Sequence, residues 1–169
     1  MLLIPGWLIA ILTFPGVMIH ELAHMLACKL AHLKVLKVCY FQLENPAGYV
    51  IHEQAGTWGQ AFLVATAPFI FNTLAAITIF SIATLISTGT VVVVLFWLGI
   101  SIGAHSFPSN EDSNILWGYS KIFWKQNILA ILGFPLVILI KIANVLSFFW
   151  FDFIYAFLLA APFFAMMEA

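Results

Sequence analysis

No aspartate, glutamate, lysine or arginine occurs before Glu21, between Glu53 and Glu111, or between Asp152 and Glu168. A water-soluble domain of 169 residues cannot turn so many uncharged, mostly apolar residues inward, whereas a bilayer demands them, at about 20 per helical crossing. Charged residues are 8% of the chain, against roughly a quarter in soluble proteins. The sequence is therefore read as one integral membrane domain, residues 1–169.

Hydropathy divides it into about five spans: Leu2 to Lys29, bent at Pro15 and Gly16; Trp58 to Ser87, kinked at Pro68; Thr90 to Ala104; Asn127 to Val145; and Phe149 to Met167. Between the first two lies KVLKVCYFQLENPAGYVIHE, in which Val, Leu, Tyr and Phe alternate with polar residues around Asn45, Pro46, Ala47 and Gly48. That pattern predicts a β-hairpin, either a mere surface connection or an edge for an added strand. The expected fold is an all-α polytopic membrane protein with a small β-hairpin after the first helix. Lys29, Lys34 and Lys37 follow span one and Lys121 and Lys125 follow span three, which predicts cytoplasmic connections and an outside N-terminus.

Several function classes find no support. The net charge is −1, and no basic patch with interleaved aromatics suggests nucleic-acid binding. Cys28 and Cys39 are too few for a disulfide framework or a four-cysteine zinc site. Trp58, Trp117, Trp124 and Trp150 fall near span ends, as an aromatic belt would. His32 and His52 are expected near the interface. Asp152, inside the last apolar run, is expected at the interface or paired with a lysine such as Lys141.

Against this background GVMIHELAHMLACKLAHL, from Gly16 to Leu33, places ionisable groups at membrane depth, where each costs on the order of 2.5–3.5 kcal/mol. His20 and His24 stand four residues apart, on one helical face, with Glu21 beside them. This HExxH spacing suits one zinc ion held by both imidazoles, with a general base for water. From Glu21 to Lys29 a helix rises about 12 Å, so the site is expected near the cytoplasmic surface. A catalytic zinc takes a third protein ligand. Spans one, two and three alternate in direction, which brings GAHSFPSNEDSNILW, Gly103 to Trp117, to the same side; His105, Glu111 and Asp112 are the candidates there. Asp112 could instead cap a helix start. Gly103, His105, Ser106 and Ser109 offer a polar route for water.

His20, Glu21 and His24, with the continuation HELAHMLACKLAHLKV, resemble the zinc helix of the site-2 protease family of intramembrane zinc metalloproteases. ATAPFIFNTLAA, Ala65 to Ala76, is similar to that family's second-span pattern and places its asparagine at Asn72. The order of zinc helix, hairpin, asparagine helix and acidic segment also matches, over about Gly16 to Trp117. The family's third ligand usually lies in Asn-Pro-Asp-Gly or Leu-Asp-Gly; Asp112, in FPSNEDSNILW, matches by role and order.

The resemblance implies a catalytic core of about residues 1–117, with added C-terminal helices over about 118–169. It implies a zinc metalloendopeptidase acting near the cytoplasmic face on transmembrane or membrane-associated protein substrates. One zinc ion would be held by His20, His24 and Asp112. Glu21 would move the proton, and Asn72 would steady substrate or oxyanion, unless it simply ties two helices. The other class considered is a non-proteolytic zinc-binding membrane protein, an inactive relative or a transporter. Small size and the lack of a targeting segment are what a prokaryotic plasma-membrane protein is expected to show.

Overall fold

A proline at position 15 prevents one straight helix from running out of the N-terminal apolar segment, because its ring would collide with the Ile11 carbonyl. The computed structural model, which describes residues 4–86 and 89–168, accordingly breaks this segment into α1 (Gly6–Leu12) and α2 (Phe14–Leu30), at 88° to each other. Leu2 and Ser87, where two spans were expected to begin and end, lie outside the described residues. The bend expected at Pro15 and Gly16 falls just before them, at Thr13, with the proline in the first turn of α2.

The chain continues through β1 (Val35–Cys39), β2 (Tyr49–His52), α3 (Trp58–Thr84), α4 (Gly89–Gly103), α5 (Asn110–Phe123), α6 (Ile128–Ser147) and α7 (Phe151–Glu168). The described residues are thus mostly helical, with one two-stranded sheet. By length and composition α3 and α6 can cross a membrane, and α1 with α2 as one broken span makes up to three; α4 and α7 are shorter apolar helices.

The helix break is stitched by α4. Trp97 Nε1 donates to Leu12 O at 3.0 Å, and Ser101 Oγ donates to Thr13 O at 3.0 Å while accepting from Gly16 N at 2.9 Å. The first of these bonds serves a carbonyl that the break deprives of its helical partner, and the other two reinforce the Thr13–Gly16 turn. Gly16 is needed here, since a Cβ at that position would land on the Ser101 carbonyl. At its other end α2 stops at His32, whose φ of 56° is left-handed, with Leu33 N bonded to Cys28 O at 2.8 Å. His32 is therefore a helix terminator.

The start of α3 is fixed by a capping box between Thr57 and Gln60, and Gln60 Nε2 also donates to Ala31 O at 2.9 Å, tying the end of α2 to it. Further along, small residues let helices approach: a Cβ on Gly103 would lie 3.1 Å from the Ala156 Cβ, and Gly99 receives the Phe80 ring. The antiparallel hairpin pairs Val35 with His52 and Cys39 with Tyr49, with a bulge between Val35 and Lys37.

Two aromatic and acidic assignments change. Trp58 is not an interfacial belt residue: it is 5% exposed, stacks on Phe62 and donates to Ser120 Oγ at 2.9 Å. The cause is α5, a helix of its own whose buried side carries Ser113, Leu116 and Ser120. Asp152 is not paired with Lys141, whose ammonium bonds Asn114 Oδ1 at 2.7 Å and lies over Trp117.

Gly16→Val is expected to destabilise the protein by about 1–3 kcal/mol through overpacking against α4. Thermal unfolding in detergent should show a lowered midpoint, whereas Gly59→Ala, at a position with open space around it, should leave the midpoint unchanged.

Candidate metal centre

The polar residues of α2 owe their geometry to two carbonyls that lack helical partners. Pro68 has no N–H, so the carbonyl four residues earlier, Val64 O, is left without the bond an ordinary helix would give it. His24 Nδ1 takes that place at 3.0 Å. His105 lies just beyond α4, and its carbonyl accepts from His20 Nδ1 at 2.8 Å and from Asn72 Nδ2 at 2.9 Å. Both imidazoles thus spend their Nδ1–H on backbone oxygen, the arrangement that leaves Nε2 as a ligand.

The two Nε2 atoms face one another at 3.1 Å. Asp112 Oδ2 completes a triangle, 3.3 Å from His24 Nε2 and 3.9 Å from His20 Nε2. Three acceptors so close require a cation, either a proton or a metal ion. Ligand atoms about 2.0–2.1 Å from a tetrahedral zinc stand roughly 3.3 Å apart, so the triangle has the size of one face of such a site. His20, His24 and Asp112 can therefore hold a metal ion.

Asp112 combines the two roles considered for it. As the third residue of α5 it accepts from Ser109 N at 2.8 Å and from Ser109 Oγ at 2.7 Å, and the same oxygen faces the imidazoles. Burial alone would raise its carboxyl, but the His24 and His20 imidazoles hold it well below the usual carboxylate range. It is anchored, and its charged form is the one favoured, which is the form a ligand needs.

His105 does not join the triangle with its ring. Thr13 Oγ donates to Ile9 O at 2.7 Å, so its bond to His105 Nε2, at 2.8 Å, is one in which the imidazole donates. Glu111 is exposed on the first turn of α5.

Glu21 is buried at 8% exposure and lines a cavity of about 620 Å³ together with His20, His24 and Asp112. The hairpin connection closes over it: a Cβ on Gly48 would fall 2.7 Å from Glu21 Cγ. Pro46 to His52 line the same cleft, so the hairpin is part of the site and not only a surface connection. His105 and Ser109, two of the residues expected along a water route, line it as well, whereas Gly103 packs on Ala156.

Asn72 is wholly buried and is not among the cleft residues. Its amide is committed to the His105 and Ile102 carbonyls, at 2.9 and 3.3 Å. The arrangement is that of a helix tie which also holds the carbonyl orienting His20. Three contributors escaped the sequence reading: Pro68 through Val64, Gly48 against Glu21, and Asp152 in the cleft wall. The first left a signal, a proline four residues after a carbonyl that must bond elsewhere, and so did Asp152, an acid inside an apolar run.

Purified protein should carry about one metal ion per chain by elemental analysis. His24→Ala and Asp112→Ala should lose it, while His105→Gln should retain it. Pro68→Ala restores a competing amide for Val64 O and should weaken metal affinity by about tenfold, measured by chelator competition. Comparison with protein-family models, curated proteins and solved structures finds no match, so the function of this centre rests on the chemistry of its own residues.

Proposed function

We propose that the chain is an intramembrane zinc metalloprotease that hydrolyses peptide bonds of transmembrane or membrane-associated proteins. The observation that carries this reading is the buried Glu21 carboxylate on the same cleft as the His20, His24 and Asp112 triangle. A structural metal site has no use for an acid that ligates nothing beside it; a hydrolytic site needs one.

When bound, a zinc ion supplies Lewis acidity, lowering the pKa of a water to about 7 and polarising a carbonyl. Everything else falls to the protein. Glu21 accepts a proton from the attacking water and returns it to the amine of the leaving peptide. The absence of a side chain at Gly48 leaves the space that Glu21 Cγ occupies beneath the hairpin turn. Asn72 works at one remove, as a positioning residue through the His105 carbonyl. Val17, buried on α2, gives the cleft an apolar stretch of wall beside Glu21.

A non-proteolytic zinc protein is the second reading, favoured in one respect: every ligand is also held by structural bonds, as in a stabilising site. A transporter is less well supported, because a transport path needs successive donors and only one group of three donors occurs among the described residues.

Cleavage of a transmembrane reporter by reconstituted protein decides between them. Wild type should cut it, and Glu21→Gln should lose about 10²–10⁴-fold in rate while retaining its metal ion. Full activity in Glu21→Gln would sink the assigned role, and metal retention without cleavage by wild type would leave the non-proteolytic reading.

A further inference from the structure

Far from the triangle in sequence, Asp152 stands in the first turn of α7 and lines the same cleft, yet the reaction makes no use of it. It is 8% exposed. Ser147 Oγ donates to its Oδ2, and among the described residues its buried Oδ1 has no hydrogen-bond partner. A buried carboxylate oxygen left bare costs free energy unless a proton or a cation meets it. The lysines nearest in sequence are engaged elsewhere: Lys141 on Asn114 and Trp117, Lys125 over Trp124, Lys121 over Trp117. Among the described residues Asp152 forms no ion pair.

Its surroundings are those of an acceptor site. Asn144, also on the cleft, spends its amide nitrogen on Ser109 O at 3.1 Å and Ser113 Oγ at 3.0 Å, which fixes the side chain and leaves Oδ1 as its remaining polar atom. The Ser109 whose carbonyl it holds is the residue that anchors Asp112, so this wall is braced against the metal triangle. The same cleft also carries apolar side chains, among them Phe107, whose ring packs on Phe151 and Tyr155 of the helix that bears Asp152. An alkyl stem ending in an ammonium or guanidinium group is the ligand such a wall accommodates, its methylenes on the apolar residues and its charge on Asp152.

The geometry points to Asp152 as a specificity-determining residue: it binds a lysine or arginine side chain of the peptide whose scissile bond lies at the triangle, so that substrates carry a cationic residue at a fixed distance from the cut. This rests on the protease reading above. It also gives α6 and α7, expected only as additions to a catalytic core, a part in substrate choice. A cation inside a transmembrane segment is rare, so a subsite that rewards one separates a few substrates from the many purely apolar helices in the same membrane.

The test uses the full chain in liposomes and a series of transmembrane peptides carrying lysine or its uncharged isostere norleucine at each position around the cut. Wild type should prefer lysine at one position by about 10- to 100-fold in kcat/KM, the range a charge-assisted hydrogen bond supplies. In Asp152→Asn that ratio should fall to near one, and in Asp152→Glu it should persist in part, with metal content unchanged in both as the check on folding. Equal cleavage of both series by wild type overturns the proposal; so does a lysine preference that survives in Asp152→Asn. A protonated Asp152 bonded only to Ser147 would give the first of these results. If wild type cuts nothing, the protease reading fails, and binding of the same peptides decides the subsite separately. Tighter binding of the lysine peptide that Asp152→Asn abolishes supports it, and equal binding overturns it.

Discussion

Two backbone carbonyls without helical partners hold the centre together. Val64 O is free because Pro68 cannot donate, and His105 O is free because α4 has ended. Each takes an imidazole Nδ1–H, and the two bonds together turn Nε2 of His20 against Nε2 of His24. Without them the rings would compete for water or for each other, and the triangle with Asp112 would not be set in advance. Preorganisation of this kind matters because a donor displaced by about 1 Å no longer offers the geometry a metal ion requires.

Those carbonyls belong to α3 and to the end of α4, so the precision of the site is a property of helix packing. Gly16 lets α2 close on Ser101, Gly99 receives the Phe80 ring, and Gly103 lies against Ala156. In a bilayer, where lipid tails are as apolar as leucine, close approach of small residues and internal hydrogen bonds supply much of the association. The Thr13 break serves the same end: it turns α2 away from α1 and presents backbone groups to which α4 bonds through Trp97 and Ser101.

What could be read in the sequence follows from locality. The spacing of His20 and His24 needs only the helical repeat, the hairpin needs only alternation and a turn at Asn45 to Gly48, and the segment holding Asp112 needs only the order of the spans. Trp58 shows the limit. Its position at a span end is equally that of a belt residue, and only the course of α5, which brings Ser120 to it, makes it core. Asn72 is similar: an amide in an apolar helix can meet substrate or carbonyl, and the end of α4 decides for the carbonyl. The number of spans was also beyond local reading, since α4 and α7 are apolar enough to cross yet shorter than a typical crossing.

Asp112 and Asp152 show how one cleft comes to hold two carboxylates of different character. Asp112 is tied by Ser109 and faced by two imidazoles, so its charge is matched before anything binds. Among the described residues Asp152 has a serine hydroxyl for one oxygen and no hydrogen-bond partner for the other. An acid whose partners are all in place belongs to the scaffold of a site, whereas one left short of a partner still has room for a further donor or cation. Helix α7, which carries that acid, packs through Ala156 on Gly103 of α4, two residues before the His105 carbonyl that orients His20.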